Sequence, residues 1–343
     1  MRAVTILKQG TPVASNVRMV DDWPEPIPGA GEVVIETEAA ALNQLDLWVG
    51  RGVPGLDLTY PRVSGSDGCG RVRQIGEGVD RSWIERRVIF NAAVPRLDSA
   101  LPGQAPAGAD RIMIGEHTHG ALAARFVAPV SNVLDVGDAD PIEGAAFGLT
   151  HLTAWRMLVT RARIRAGQTV LITGIGGGVA LAALGICKVF GCRTIVTSRH
   201  PKKLEHARAL GATDSVLDHG QDWSREVRGL TAKRGVDVVV DSIGKTVHLA
   251  SVKSLARGGS FVTCGCTTGP DALTDLARVF WNELSIIGST MGDMDEFRQV
   301  TSLFRIGALK PVVHQVFPAA KADLAFASLE AGEQFGKVVV SFA

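Results

Sequence analysis

Residues 168–191 read QTVLITGIGGGVALAALGICKVFG. The apolar, β-branched run QTVLITG ends in a cluster formed by Gly174, Gly176, Gly177 and Gly178, and an Ala-rich stretch of helical length opens at Val179. Glycines there permit a tight turn and let backbone N–H groups approach a pyrophosphate, whose charge a helix N-terminus stabilises. Ala180 takes the place where this fingerprint often carries its last Gly, a substitution small enough to keep helix and strand close. Glycine clusters alone are common in loops. With a strand before it and a helix after it, this one reads as a dinucleotide-binding turn.

The neighbouring sequence extends that reading. RTIVTS, VDVVVDSIG and GSFVTCG are further apolar strands of the kind buried on both faces, and segments of helical length such as PKKLEHARALGA separate them. Strands alternating with helices at this spacing predict a doubly wound parallel sheet. The predicted domain is α/β and covers residues 150–290. NELSIIGSTMG is placed just beyond that sheet, as an apolar strand at a sheet edge. Residues 1–149 have a different texture: EVVIETEAAAL alternates, GCGRVRQIG and RRVIFNAA are short strands, and Pro and Gly turns recur between them. This is a compact β-rich domain. Residues 291–343 hold two helical patterns and the strands VVHQVFPAA and KVVVSFA, and are expected to return to it. Residues 91–118, rich in Pro, Ala and Gly, read as a loop or lobe outside the core.

At 343 residues the chain exceeds what one hydrophobic core usually serves. Its 36 basic and 35 acidic residues give no field that would attract nucleic acid or an anionic membrane. A small-molecule substrate and a soluble, cytoplasmic protein are expected, with no apolar run long enough to span a bilayer. The five cysteines, at 69, 187, 192, 264 and 266, form neither a disulfide framework nor a CxxC pair, and read as reduced thiols. Strand alternation would point Cys264 and Cys266 to one face as small core residues.

The end of the second strand of the sheet selects the dinucleotide. An acid there would accept from the ribose 2′-OH of NAD. RTIVTSRHPKK offers Thr197, Ser198, Arg199, His200, Lys202 and Lys203 instead, a hydroxyl and cations suited to a 2′-phosphate. The alternative is a set of solvated charges, although cations at a helix start oppose its dipole. NADP(H) is the expected cofactor.

In order along the chain, ALNQLDLWVGRG, SGSDGCGRVRQIGEGV, the glycine turn, KLEHARALGATDSVLD, GVDVVVDSIG, LARGGSFVTCG and FGKVVV make nearly its full length resemble the medium-chain dehydrogenase/reductase superfamily. The closest likeness is to its zinc-independent quinone oxidoreductase branch. The resemblance implies a GroES-like catalytic domain from 1–149 and 291–343, a Rossmann domain from 150–290, and an active-site cleft at their junction. In the zinc-dependent alcohol dehydrogenases of the superfamily a Cys, a His and a second Cys hold the catalytic metal. The matching positions here are Asn43, Ser66 and Leu149, none of them a good zinc ligand. Asp46 and Asp67 lie nearby, but carboxylates without imidazole or thiolate do not complete a site. Residues 91–118 occupy about the place of a structural-zinc lobe yet contain no Cys, and His117 and His119 supply only two ligands. No metal is expected.

By the same matching, Asn43 and Thr153 line the nicotinamide pocket, Lys203 contacts the 2′-phosphate, and His219 stands where the branch often has a Tyr beside that phosphate. Ser242, Ile243, Gly244, Cys264 and Gly265 flank the ribose and nicotinamide, and Gly336 and Lys337 close the cleft. Without a metal to polarise a carbonyl, the favoured substrate is already a good hydride acceptor: a quinone or an α,β-unsaturated carbonyl, enone or enoyl thioester. Asn43, Ser66, Thr153 and Trp48 are the candidate hydrogen-bond donors to the developing oxyanion. Each also has a structural reading: backbone satisfaction at a strand end for Asn43, packing for Ser66, a pocket wall for Trp48. An alcohol dehydrogenase with an atypical zinc-free site and a low-turnover NADPH-binding sensor remain as alternatives. A homodimer or homotetramer paired through the NELSIIGSTMG edge is expected.

Overall fold

The computed structural model describes residues 1–96 and 111–342. They divide into two compact units, Met1–Leu149 with Gly292–Ala343, and Thr150–Met291.

The chain begins with a two-stranded antiparallel pair, β1 (Ala3–Ile6) and β2 (Val17–Val20), and continues into β3 (Glu32–Ala41). After α1 (Gln44–Arg51) come β4 (Gly68–Ile75), β5 (Arg87–Phe90), β6 (Ala93–Pro95), β7 (Arg111–Met113), β8 (Arg125–Pro129) and β9 (Val133–Asp135). The long alternating strand β3 is the spine of this unit, pairing antiparallel with both β4 and β8. Of the stretch 91–118, residues 97–110 lie outside the described residues. The described flanks are more ordered than a loop: β6 and β7 pair antiparallel, and Ala93 and Ile114 are buried in the core. His117 and His119 act as hydrogen-bond acceptors, from the Met113 and Val63 N–H groups, and the His119 ring meets Trp23 edge-on.

The chain passes into the second unit within α2 (Pro141–Trp155). There β10 (Thr169–Ile172), β11 (Arg193–Ser198), β12 (Asp214–Leu217), β13 (Val236–Asp241), β14 (Leu255–Thr263) and β15 (Ser285–Gly288) form one parallel sheet in the order β12-β11-β10-β13-β14-β15. The helices α3 (Gly178–Val189), α4 (Pro201–Ala209), α5 (Ser224–Leu230), α6 (Lys245–Ser254) and α7 (Leu276–Trp281) fall between strands. Leu171, Ile195, Val216, Val239 and Phe261 come from successive strands into one buried cluster, as the β-branched runs require. Strand order reverses at β10, so ligands are expected outside the carboxyl ends of the strands around it.

Two expectations change. NELSIIGSTMG is not beyond the sheet: it supplies the sixth strand, β15, whose Ile286 pairs in register with Phe261 and whose outer side is the sheet edge. β14 ends at Thr263, so strand alternation does not reach the two thiols; Cys264 is partly buried and Cys266 is exposed.

The chain then re-enters the first unit through α8 (Met294–Arg305), β16 (Val313–Pro318), α9 (Ala322–Ala331) and β17 (Lys337–Ser341). A reciprocal cap starts α8, with the Asp293 carboxylate accepting from Glu296 N–H and the Glu296 carboxylate accepting from Asp293 N–H. Phe304 of α8 stacks on Phe147 of α2, ring centroids 4.5 Å apart. β17 is inserted antiparallel beside β3, giving the sheet order β16-β17-β3-β4-β5-β9 with β8 also on β3. Among the described residues no helix is long and apolar enough to cross a membrane.

Candidate functional site

In the first unit, three adjacent strands bring their ends together. β3 runs out into Asn43, β4 begins just after Ser66 and Asp67, and β17 begins at Lys337. Ala41 N–H donates to Asp67 O at 3.2 Å, and Leu42 N–H donates to Val338 O at 2.9 Å, so the three ends are fixed to one another by backbone. Gly336 makes the entry of β17 possible. Its φ is +116°, and a Cβ there would stand 2.4 Å from the carbonyl oxygen of Val312, to which Lys337 N–H donates.

The side chains at these ends form one buried network. The Lys337 ammonium donates to Asn43 Oδ1 at 2.5 Å and to Asp67 Oδ2 at 3.0 Å. Asn43 Nδ2 donates in turn to Asp67 Oδ2 at 3.0 Å, to Ser66 Oγ at 3.3 Å and to Ala41 O at 3.4 Å. The other oxygen of Asp67 accepts from Leu149 N–H at 2.7 Å. Lys337 is 4% exposed and Asp67 1%. An unpaired charge at either position would carry a desolvation penalty of several kcal/mol, and each is answered here by an opposite charge and neutral partners.

Asn43 precedes α1 and forms a capping box with Asp46. In it Asp46 Oδ2 accepts from Asn43 N–H at 2.7 Å, and Asp46 Oδ1 accepts from Gly65 N–H at 2.8 Å. The Asn43 amide also bonds Lys337 and Asp67. Burial outweighs these donors and the nearby Lys337 charge, and raises the Asp46 carboxyl to about 6. Trp48, half-buried on α1, makes no hydrogen bond to this cluster.

In the second unit the strand ends around β10 converge on the glycine turn. Gly174 (φ +62°) and Gly176 (φ +120°) adopt left-handed backbone, and a Cβ on Gly174 would lie 2.6 Å from Ile243 Cδ1. Gly177 leads into α3 with no side chain capping the helix, which starts at Gly178 and Val179. Gly174 N–H reaches Thr197 Oγ1 at 3.4 Å and Ile175 N–H donates to Thr197 O at 2.8 Å, tying the turn to the end of β11. Ser198 is buried and its hydroxyl accepts from His200 N–H at 3.1 Å, whereas Arg199 is exposed and Lys203 partly so. His219 is exposed just past β12, next to Asp218, whose N–H donates to Ser198 O. The Asp218 carboxylate closes its own turn on Gly220 N–H at 2.8 Å.

Asp241 organises the other side of the turn. Its buried carboxylate accepts from Thr173 Oγ1 at 2.6 Å, Ile243 N–H at 3.2 Å and Gly244 N–H at 2.9 Å, which shapes the loop Ser242, Ile243 and Gly244. Burial raises its pKa against those donors. Asp241 O also accepts from Cys264 N–H, and Thr263 Oγ1 donates to Gly265 O at 3.0 Å. On α2, Thr153 is buried and its hydroxyl has no partner. Left-handed glycines, an uncapped helix start and an orphaned buried hydroxyl fit a dinucleotide with an amide-bearing ring.

Asn43, Ser66 and Lys337 are thus brought together in one unit, and Gly174–Gly178, Ser198, Ser242–Gly244 and Cys264–Gly265 in the other. Sequence reasoning did not select Asp67, Asp46 or Asp241 as site residues. Asp67 had a usable signal, an acid directly after Ser66. Asp241, at a strand end, had none beyond position.

Residues 29–138 match the alcohol dehydrogenase GroES-like domain family, and residues 178–305 match the zinc-binding dehydrogenase family. The zinc-type alcohol dehydrogenase-like protein YogA of Leptosphaeria maculans is 31% identical over 92% of each chain. The chain belongs to the medium-chain dehydrogenase/reductase superfamily. It is an oxidoreductase of that superfamily, whose members take a nicotinamide cofactor. Quinone oxidoreductase of Rattus norvegicus is 25% identical over 99% of this chain and 97% of its own. Among solved structures, an NAD-dependent alcohol dehydrogenase is 37% identical with a TM-score of 0.93 over 100% of both chains. The 2-octenoyl-CoA carboxylase reductase CinF, in complex with NADP and 2-octenoyl-CoA, is 25% identical with a TM-score of 0.90 over 99% of this chain and 87% of its own.

Replacing Lys337 alone strands the Asp67 charge. Lys337→Met is expected to lower stability by about 3–5 kcal/mol, and adding Asp67→Asn to recover most of it. Urea unfolding followed by tryptophan fluorescence reads this, and equal losses in the single and double variants would show the ion pair to be incidental.

Proposed function

We propose that this dehydrogenase/reductase is a metal-independent, NADPH-dependent reductase of quinones or α,β-unsaturated carbonyls, enones or enoyl thioesters. The supporting observation is the Lys337 ammonium held between Asn43 and Asp67. The positions matched to metal ligands present an amide, a hydroxyl and an aliphatic side chain, a donor set that does not suit zinc. A fixed organic cation already stands among them. Among the described residues no group of three or more His, Cys, Asp or Glu side chains is arranged to hold a metal ion.

When bound, the reduced nicotinamide supplies the hydride. The chain's own groups do the rest. An ammonium has three N–H donors, two of them used on Asn43 and Asp67, so one remains for an oxygen that becomes negative as the acceptor is reduced. Asp67 orients the lysine ammonium, and Asn43 fixes both. Ser66, bonded to Asn43, is a second hydroxyl at the same place. Thr153, with its unpartnered hydroxyl, is assigned to the cofactor's amide, and Trp48 to a pocket wall. A pre-formed donor array of this kind suits an acceptor that needs charge stabilisation at oxygen and no Lewis acid.

NADPH is preferred because β11 ends in Ser198 followed by Arg199 and Lys203, with no acid of its own. His219 is assigned to the same phosphate. CinF, a likeness at 25% identity, carries NADP, whereas the 37% identical alcohol dehydrogenase is described as NAD-dependent, so the choice rests on the β11 end. The reading extends to a homodimer, or a homotetramer built from such dimers. Beside the open β15 edge, α7 exposes Leu276, Phe280 and Trp281, the last two each 70% accessible, more apolar surface than a solvated helix retains without a partner.

Following NADPH loss with 1,4-benzoquinone, an enone, an enoyl thioester and an aldehyde, turnover is expected with the first three. Asn43→Ala and the double variant Lys337→Met/Asp67→Asn are expected to lose about 10²–10³ in kcat with unchanged NADPH affinity. Turnover confined to the aldehyde would favour an alcohol dehydrogenase, and tight NADPH binding with no turnover a sensor. The purified enzyme should bind NADPH more tightly than NADH, and Arg199→Ala should weaken NADPH alone by about tenfold; tighter NADH binding overturns the cofactor assignment. In sedimentation at micromolar concentration, a dimer or tetramer is expected, dissociated by Phe280→Glu/Trp281→Glu, and a monomeric parent refutes the interface.

A further inference from the structure

α3 carries the glycine turn at its N-terminus and an unusual pair at its other end. The helix finishes at Val189, Phe190 caps it, and Gly191 follows with φ +67°. Gly191 N–H donates to Lys188 O at 3.1 Å and Cys192 N–H donates to Cys187 O at 2.9 Å. These two bonds define a Schellman ending, in which the residue two past the cap folds back over the residue three before it and their side chains meet. That contact is ordinarily apolar. Here it joins two thiols, Cys187 and Cys192, close enough that each is the largest influence on the other's ionisation.

The two sulfurs differ in environment. Cys187 is fully buried on the core face of α3, while Cys192 is only partly covered, its sulfur 3.5 Å from the Arg165 carbonyl oxygen. The neighbouring Cys192 sulfur, and then burial, hold the proton on Cys187, raising its pKa well above that of a free thiol, and the adjacent Cys187 thiol lowers that of Cys192. The accessible member is therefore the one that ionises, and the buried member sits in contact with it as a second thiol.

We propose that Cys187 and Cys192 form a reversible oxidation site on the dinucleotide-binding unit, in which a hydroperoxide oxidises Cys192 and Cys187 converts the product to a disulfide. The Cys192 thiolate attacks the outer oxygen of hydrogen peroxide, cleaving the O–O bond, to give Cys192 sulfenic acid and hydroxide. The Cys187 sulfur then displaces the sulfenic oxygen, which leaves as water with the Cys187 proton. Two thiols give up two electrons in all, and one peroxide is reduced to two waters once the first thiol proton is counted. Capture by Cys187 stops Cys192 short of the irreversible sulfinic acid. Neither cysteine belongs to the strand ends assigned to cofactor or substrate, so this chemistry is independent of the proposed reductase activity.

The sequence makes the test direct, because Lys188 lies between the two cysteines. Trypsin releases Cys187 in AGQTVLITGIGGGVALAALGICK and Cys192 in VFGCR. The full-length reduced enzyme, treated with one to a few equivalents of hydrogen peroxide, alkylated and digested without reductant, is expected to yield these two peptides cross-linked, and separated by dithiothreitol. Before oxidation, Cys192 should alkylate about tenfold faster than Cys187. In Cys187→Ser, the same treatment should carry Cys192 on to sulfinic acid. Recovery of Cys192 as sulfinic acid or unchanged thiol in the parent, with no linked peptide, overturns the proposal. So does equal sulfinic acid formation in the parent and in Cys187→Ser.

Discussion

A lysine and an aspartate buried together, with almost no access to water, set the terms for the first unit. Lys337 and Asp67 come from opposite ends of the chain, and neither charge is tolerable there alone. Every element nearby is arranged around that requirement. β17 enters beside β3 through a glycine that admits the carbonyl of Val312; β4 starts just after Asp67; α2 turns the Leu149 N–H onto the free carboxylate oxygen; Asp46 holds the Asn43 backbone at the start of α1. The polar cluster and the strand order are two aspects of one arrangement, since the β17-β3-β4 adjacency is what places the three polar groups within hydrogen-bonding distance.

The second unit solves a related problem with one buried acid. Asp241 ends β13, and its carboxylate gathers the Thr173 hydroxyl and the N–H groups of Ile243 and Gly244. The effect is to shape two loops at once, the one leaving β10 and the one leaving β13. Ile243 then packs where any side chain on Gly174 would have to be. A glycine-rich turn is therefore held in shape by groups outside it.

The parallel sheet was legible because its strands are β-branched on both faces and its turn carries a spacing that few other structures need. The β-rich unit was legible as a texture, and its completion by the C-terminal segment followed from the order of elements and from the family likeness. What escaped was long-range. NELSIIG has the composition of a strand in any position, and only pairing of Ile286 with Phe261 makes it the sixth of the sheet. Lys337 was recognisable as a site residue from FGKVVV, but the sequence carries no mark that its partners are Asn43 and Asp67, because hydrogen bonding between residues so far apart leaves no periodicity to read. Asp241 and Asp46 were hidden for the same reason: a buried acid at a strand or helix end looks, in one dimension, like any other turn residue.

The entry of β17 beside β3 also orders events in time. Asp67 and Lys337 are separated by 270 residues, so during synthesis the acid leaves the ribosome on the order of tens of seconds before its lysine exists. Throughout that interval the whole dinucleotide-binding unit is made, while the β-rich half waits with a gap beside β3 and an unanswered carboxylate at its end. Lys337 opens the strand that pairs with β3, so closing that gap and answering that carboxylate are a single event.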